Sequence, residues 1–231
     1  ALKGHNADYV EIRIEETEST YLEYRGPELD NIGRNASLGG NVRALVKGAW
    51  GFVSFNEPGD LRKWVELAVA QARLAGKESS ALAQVDPVQD VVEPVLKTNP
   101  ASVALAHKKA LLDEYNGIIL GTPGIQTSNI SYGDTQKKVI FVSSEGTRIQ
   151  QSKVDVSARF TAMARDGSDV QQCGLSLGSI QDFGVVEGLQ TKIADLARRA
   201  VALLKAPAAK GGEYTVVCDP ILAGVFAHEA F

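Results

Sequence analysis

The sequence predicts an α+β fold of two strand-rich antiparallel units, each with packed helices. Three observations carry this. Val10, Ile12 and Ile14 alternate with Glu11, Arg13 and Glu15, the period-two pattern of a sheet with one wet face. Leu61, Trp64, Val65, Ala68, Ala72 and Ala75 then fall on one stripe at helical spacing. Runs of β-branched and aromatic residues return between Lys138 and Leu177, broken only by Ser144-Glu145-Gly146 and Asp166-Gly167.

Taken in order, the strand through Val10–Ile14 ends in the acidic run Glu15-Glu16-Thr17-Glu18, which reads as a solvated strand end. Tyr21 to Tyr24 reads as the returning strand of a hairpin, closed by Gly26-Pro27. Val42 to Val46 and Phe52 to Phe55 form a second pair, joined through Lys47 to Gly51. Asp60 is the expected N-cap of the following helix and Gly76 its end. Residues 77 to 100 are the linker candidate, interrupted by Pro87, Pro94 and Pro100. Asn99-Pro100 has the chemistry of a helix start, and Gly117, after Tyr115-Asn116, of its end.

Long antiparallel strands are expected from about Ile118 to Ser179, namely Lys138 to Val142, Lys153 to Met163 and Val170 to Leu177. A second amphipathic helix follows on Leu189, Ile193, Leu196, Ala200, Val201 and Leu204, stopped by Pro207. Tyr214 to Cys218 reads as a short apolar strand turning at Asp219-Pro220, and Ile221 to Phe231 as the start of a helix. The implied domains are 1–80, a linker over 81–100, a middle β-rich domain with flanking helices over 101–207, and a final piece, 208–231.

Composition narrows the function classes. Apolar residues are 44% and charged residues 23%, the balance of a globular chain rather than a disordered one. No apolar run approaches the ~20 residues of a membrane-spanning helix, so no membrane partner is expected. Net charge is -4 with Lys and Arg scattered, which argues against direct nucleic-acid binding, since that needs a basic patch. The start, Ala1 to Asn6, has no signal-peptide pattern, and two cysteines are too few for a disulfide framework. Reduced thiols in a cytoplasmic protein follow as the expectation.

The candidate chemistry lies at the end of the sequence, in Ala227-His228-Glu229-Ala230-Phe231. A His-Glu step in an apolar segment resembles the opening half of a zinc-hydrolase motif, in which His binds metal and Glu handles the proton of the metal's water. The spacing alone leaves a second reading open, a helix whose His and Glu face solvent, because Gly224 sits where an i−4 ligand would be. Cys173 and Cys218 read as small buried apolar residues. His107 is expected on the solvated side of its helix and His5 near the terminus, and the sequence sets neither in a metal-binding motif. Gly39-Gly40 and Gly121-Thr122-Pro123-Gly124 match no phosphate-loop pattern and read as turns.

The order of these pieces carries a family resemblance. Gly39-Gly40-Asn41-Val42-Arg43, then Lys47 to Phe52, the Leu61–Gly76 helix, Ser144-Glu145-Gly146 and Val225 to Phe231 together resemble the TldD/PmbA family, zinc metallopeptidases earlier named modulators of DNA gyrase. The resemblance covers essentially the whole chain, as about the first half of a typical member. It is nearer the TldD branch, with its His-Glu-x-x-x-His motif.

The resemblance implies His228 as first zinc ligand and Glu229 as general base. The second His and a Cys ligand would lie beyond Phe231, so 208–231 would be the truncated start of a catalytic domain. Zinc is then expected in the full-length protein and none bound by this chain alone. Peptide substrates, small or unfolded, and a homodimer or TldD/TldE-type heterodimer are implied as partners. A non-catalytic scaffold or regulatory module, of the kind the gyrase name suggests, is the other expectation.

Overall fold

In the computed structural model, which describes residues 2, 4–78 and 82–230, the first strand is far longer than its alternating start suggested. β1 runs unbroken from Tyr9 to Arg25, and Gly26-Pro27 turns the chain into β2, Glu28–Val46. Tyr21 to Tyr24 is therefore not a returning strand but the far end of β1, and the acidic run lies mid-strand. Nothing between Glu15 and Thr20 favours a turn, and Lys137 and Lys138 on the neighbouring strand stand opposite Thr17 and Glu16. Facing lysines make a run of carboxylates tolerable inside a sheet.

Lys47 and Gly48 form the next turn, a two-residue loop in which both have positive φ, 47° and 79°. This conformation matches the strand twist and joins β2 to β3, Ala49–Phe55. Gly39-Gly40, expected as a turn, lies instead inside β2. A Cβ at Gly40 would collide with the Arg13 carbonyl oxygen and fall 2.7 Å from the Phe55 ring, so the glycine is kept by packing.

Helix α1, Leu61–Ala75, starts where expected. The Asp60 carboxylate accepts from the Arg62 N–H at 3.0 Å, and Val65, Ala68, Val69 and Ala72 are buried. In the linker candidate, Gln89–Val92 forms β4, which lies parallel to the start of β6. The expected helix start at Asn99-Pro100 is a single 3-10 turn, Pro100–Ser102, capped by the Asn99 side chain. Helix α2 follows at Leu105 and runs to Leu120, so Gly117 does not close it. Tyr115, Asn116 and Ile119 are all buried, and their packing carries the helix through the glycine.

β5, Ile125–Ser143, β6, Arg148–Asp166, and β7, Asp169–Ser179, are the three expected strands at greater length. Helix α3, Gln190–Leu203, buries Ile193, Leu196, Ala197 and Ala200. No strand forms over Tyr214 to Cys218, in contrast to the expectation. Val216 and Val217 are exposed, and no neighbouring strand among the described residues receives their backbone groups. Helix α4, Pro220–Ala230, ends the described chain. Phe231, and residues 79–81 around the start of the linker, lie outside the described residues.

All seven strands join one sheet in the order β3-β2-β1-β5-β6-β4, with β7 also paired to β6. Every pairing is antiparallel except that of β4. β1 has 17 residues and β2, β5 and β6 have 19 each, so the sheet extends about 55–65 Å along its strands.

Even-numbered residues of β1 all point to one face. At one end Val10 and Ile12 join Val42, Ala44, Val65, Ala68 and Ala72 in a core under α1. At the other end Leu22 and Tyr24 join Tyr115, Phe160, Phe183 and Ile193 in a second core under α2 and α3. The helices thus sit at opposite ends of the same face and leave its middle open.

Candidate functional site

His228 and Glu229 lie in the last turn of α4. Asp219 starts this helix: its Oδ1 accepts from the Leu222 N–H at 2.7 Å, and its carbonyl accepts from the Ala223 N–H at 2.9 Å. Proline at the first helical position fits, because that N–H has no intrahelical partner to lose. Both residues are exposed, as is every residue from Lys205 to Ala230. Neighbours in a helix point about 100° apart, so the imidazole and carboxylate leave the helix in different directions. Ile221, Leu222, Val225 and Phe226 are 80, 53, 52 and 70% exposed, an unusual state for four large apolar side chains on one short helix.

A zinc ion needs about three protein ligands with one position open to water. Among the described residues no three His, Cys, Asp or Glu side chains converge. The donor set around His228 and Glu229 therefore does not by itself fit zinc. Cys218, expected to be buried, is exposed, because the strand that would have buried it does not form. Cys173 is half-buried at the margin of the α2–α3 core, closer to expectation. His107 is on the solvated side as expected, with its Nε2 3.7 Å from Glu187 Oε1 and its ring 6.4 Å from that of Phe183. His5 is half-buried near the start of the chain.

The open middle of the helix-bearing face is a polar trough. One cleft, of ≈ 320 Å³, is lined by Glu18, Thr20, Arg34, Asp134 and Gln136. A second of the same volume adjoins it and is lined by Glu16, Glu93, Asn99, Lys138 and Ser152. The Gln136 amide donates to Asn99 Oδ1 at 3.2 Å and links the two.

Beneath the first cleft lies a buried charge cluster. Lys108 Nζ donates to Asp134 Oδ2 at 2.6 Å, and the Tyr132 hydroxyl donates to the same oxygen at 2.7 Å. The ammonium also lies 5.7 Å from the Tyr132 ring centre and 6.0 Å from that of Phe183. Burial pushes the Tyr132 phenol well above its ordinary range, and the hydrogen bond to Asp134 pushes it further. Reading the sequence for motifs missed this cluster. Its signal was present: Lys108 falls on the same helical stripe as Leu112, Tyr115 and Ile119, where a lysine needs a buried partner.

On the opposite face, Glu15 takes Lys137 Nζ at 2.5 Å and Arg13 Nε at 2.6 Å. The hydrogen bond from the lysine, joined by that from the arginine, holds its carboxyl below the usual carboxylate value against the opposing effect of burial.

Comparison with known proteins gives the class to which this architecture belongs. The PmbA/TldA metallopeptidase domain 1 matches residues 10–72 and the central domain of the same metallopeptidases matches residues 98–206. The chain belongs to the PmbA/TldD family.

A metalloprotease of Synechocystis sp. is 40% identical over 227 residues, spanning 97% of this chain and 49% of that protein. A metalloprotease of Methanocaldococcus jannaschii is 28% identical over 229 residues, spanning 96% and 50%. The chain spans about half the length of these relatives. In fold it is similar to the crystal structure of a candidate modulator of DNA gyrase from Bacteroides thetaiotaomicron, with a TM-score of 0.75, 17% identity, and coverage of 98% of this chain and 53% of that one. TldE from Thermococcus kodakarensis aligns with a TM-score of 0.68 and 13% identity over 86% and 44%. Among the described residues no helix is long and apolar enough to cross a membrane.

Proposed function

We propose that this chain is the N-terminal part of a TldD-type zinc-dependent metallopeptidase that hydrolyses small or unfolded peptides. His228 is the first metal ligand and Glu229 the general base, in company with ligands from the half of the relatives that this chain does not span. The observation that carries the reading is the His228-Glu229 step at the end of an apolar, uncovered helix, in a chain 40% identical to a metalloprotease. An apolar helix left bare is what a segment belonging to the core of a further domain looks like in isolation. In this reading the long sheet shapes access to the catalytic centre, the enzyme is cytoplasmic, and it works as a homodimer or with a TldE-type partner.

The test uses the gene's full product, with zinc content and cleavage of an unfolded peptide measured side by side. His228→Ala is expected to lose both zinc and cleavage, whereas Glu229→Gln keeps zinc and loses cleavage, since the Glu works on a proton and not on the metal. Full zinc occupancy in His228→Ala, or full activity in Glu229→Gln, would remove the assignment and favour a scaffold or regulatory role.

A further inference from the structure

Sheet register sets the floor of the first cleft. Arg34, Thr20 and Asp134 lie side by side in one row across β2, β1 and β5, and Glu18 stands in the next row, diagonal to both Arg34 and Asp134. Neighbouring strands are about 4.8 Å apart, so Arg34 and Asp134 are about 10 Å apart at the backbone, with Thr20 midway.

Two oxygens on this floor have no donor. Thr20 and Asp134 are only 6% and 4% exposed. The Thr20 hydroxyl makes no hydrogen bond, and Asp134 uses Oδ2 alone, for Lys108 and Tyr132. Among the described residues no fully buried polar side-chain atom lacks a partner, so the Thr20 hydroxyl and Asp134 Oδ1 reach the cleft that they line. Buried polar groups of this kind cost stability unless something meets them.

The two charges at the rim are also unused. Glu18 and Arg34 are exposed, and neither forms an ion pair. Elsewhere on the sheet such neighbours do close, as Arg43 does on Glu11 at 3.3 Å. With Asp134 matched by Lys108, the cleft is left with one carboxylate and one guanidinium to offer. That balance suits neither a bare anion nor a metal cation.

We propose that this cleft binds a small zwitterion of dipeptide length, its ammonium at the Asp134 end and its carboxylate on Arg34. An ammonium has three N–H donors, and Glu18, Asp134 Oδ1 and the Thr20 hydroxyl are three acceptors around one point. The guanidinium takes the carboxylate through two parallel hydrogen bonds. An extended dipeptide spans about 7 Å, enough to engage both ends of the row, whereas one amino acid spans about half of that. The cleft, of ≈ 320 Å³, is at the small end of ligand sites and suits such a molecule. The site uses neither His228 nor Glu229, so the failure of one assignment leaves the other standing.

The test is isothermal titration calorimetry on the gene's full product carrying Glu229→Gln, so that no cleavage consumes the probe. The probes are dialanine, N-acetyl-dialanine, dialanine amide and alanine. Dialanine is expected to bind at least about tenfold more tightly than the other three, each of which lacks one charged end or the second residue. Arg34→Leu should bring dialanine down to the affinity of its amide and leave the amide unchanged. Glu18→Gln should bring it towards the acetyl form and leave that form unchanged. Thr20→Val should weaken dialanine binding with Tm unchanged or raised, an outcome that a purely structural threonine would not give. Equal binding of dialanine and its capped forms overturns the proposal, as does an absence of binding at millimolar concentration. Unchanged affinity in the Arg34 and Glu18 variants, or an equal loss for every probe, overturns it as well, by placing the binding elsewhere.

Discussion

Lys108 on α2 and Asp134 on β5 meet at 2.6 Å with side chains only 1% and 5% exposed, and Tyr132 supplies a second donor to the same carboxylate oxygen. This pair fixes the helix to the sheet at the edge of the trough. Burying two charges costs more than their attraction returns unless the geometry is good and further hydrogen bonds are made, and here both conditions hold.

Removing either partner alone strands the other charge. Lys108→Met or Asp134→Asn is expected to lose about 3–5 kcal/mol of stability in chemical denaturation. The triple change Lys108→Met, Asp134→Leu, Tyr132→Phe should recover most of the loss, because an apolar cluster of similar volume has no charge to desolvate. A triple variant no more stable than the single ones would show that the cluster is held by something other than its charges.

Gly51 on β3 lies directly under α1. A Cβ there would run into the Ala68 carbonyl oxygen and fall 2.9 Å from the Ala72 nitrogen, both of them backbone atoms that cannot turn aside. Gly51→Ala should therefore push α1 off the sheet, at a cost of about 1–3 kcal/mol or more, visible as a lowered Tm. Gly117→Ala, on an open side of α2, should leave the Tm unchanged or raise it.

Four tyrosines, Tyr9, Tyr24, Tyr115 and Tyr132, are raised above the ordinary phenol value of 10.0, in each case chiefly by burial. Glu11, Asp113 and Asp134 add to the rise at the first, second and fourth. A group whose folded pKa is raised stabilises the fold fully below its unfolded pKa, and that contribution is lost as pH climbs above it. Stability should thus decline above pH ~10. In ultraviolet titration, part of the phenolate signal should arise together with loss of circular dichroism rather than before it. A smooth titration of all six tyrosines in the folded state would contradict this.

The opposite sign holds at Glu15, whose carboxyl is lowered by Lys137 and Arg13. Its stabilisation is present above the ordinary carboxylate value of 4.5 and is lost as pH falls through the lowered one. The pair is partly exposed, so the effect is under about 1 kcal/mol. Glu15→Gln should flatten the acid side of the stability–pH curve and leave the neutral plateau within that margin.

Much of this fold was legible in the residues. Asp60, Gly48, Gly146, Gly167 and Pro207 punctuate the chain where local chemistry demands it, and the helices and hairpins they bound form as expected. What was not legible depended on neighbours distant in sequence. The Glu15–Glu18 run looks like a strand end until Lys137 and Lys138 are placed beside it. Gly117 looks like a stop until Tyr115 and Asn116 are seen bonded to Val186 and Gly26. The apolar strand expected at Tyr214–Cys218 had the right residues, but sheet structure needs a second strand, and the described residues offer none there. At the candidate site, His228-Glu229 was visible as a motif, whereas Lys108–Asp134 belongs to no motif and emerges only when α2 is laid on β5.

The two regions matched by separate family domains are held together by β1, whose pairing with β5 runs from Glu11 opposite Ser143 to Arg25 opposite Asn129. Proteolytic nicking between residues 77 and 88 would therefore not release two independent pieces. The fragments would stay associated through that ladder and melt in a single transition, and a gene cut at the same place would yield two polypeptides, each with a raw seam that only the other could close.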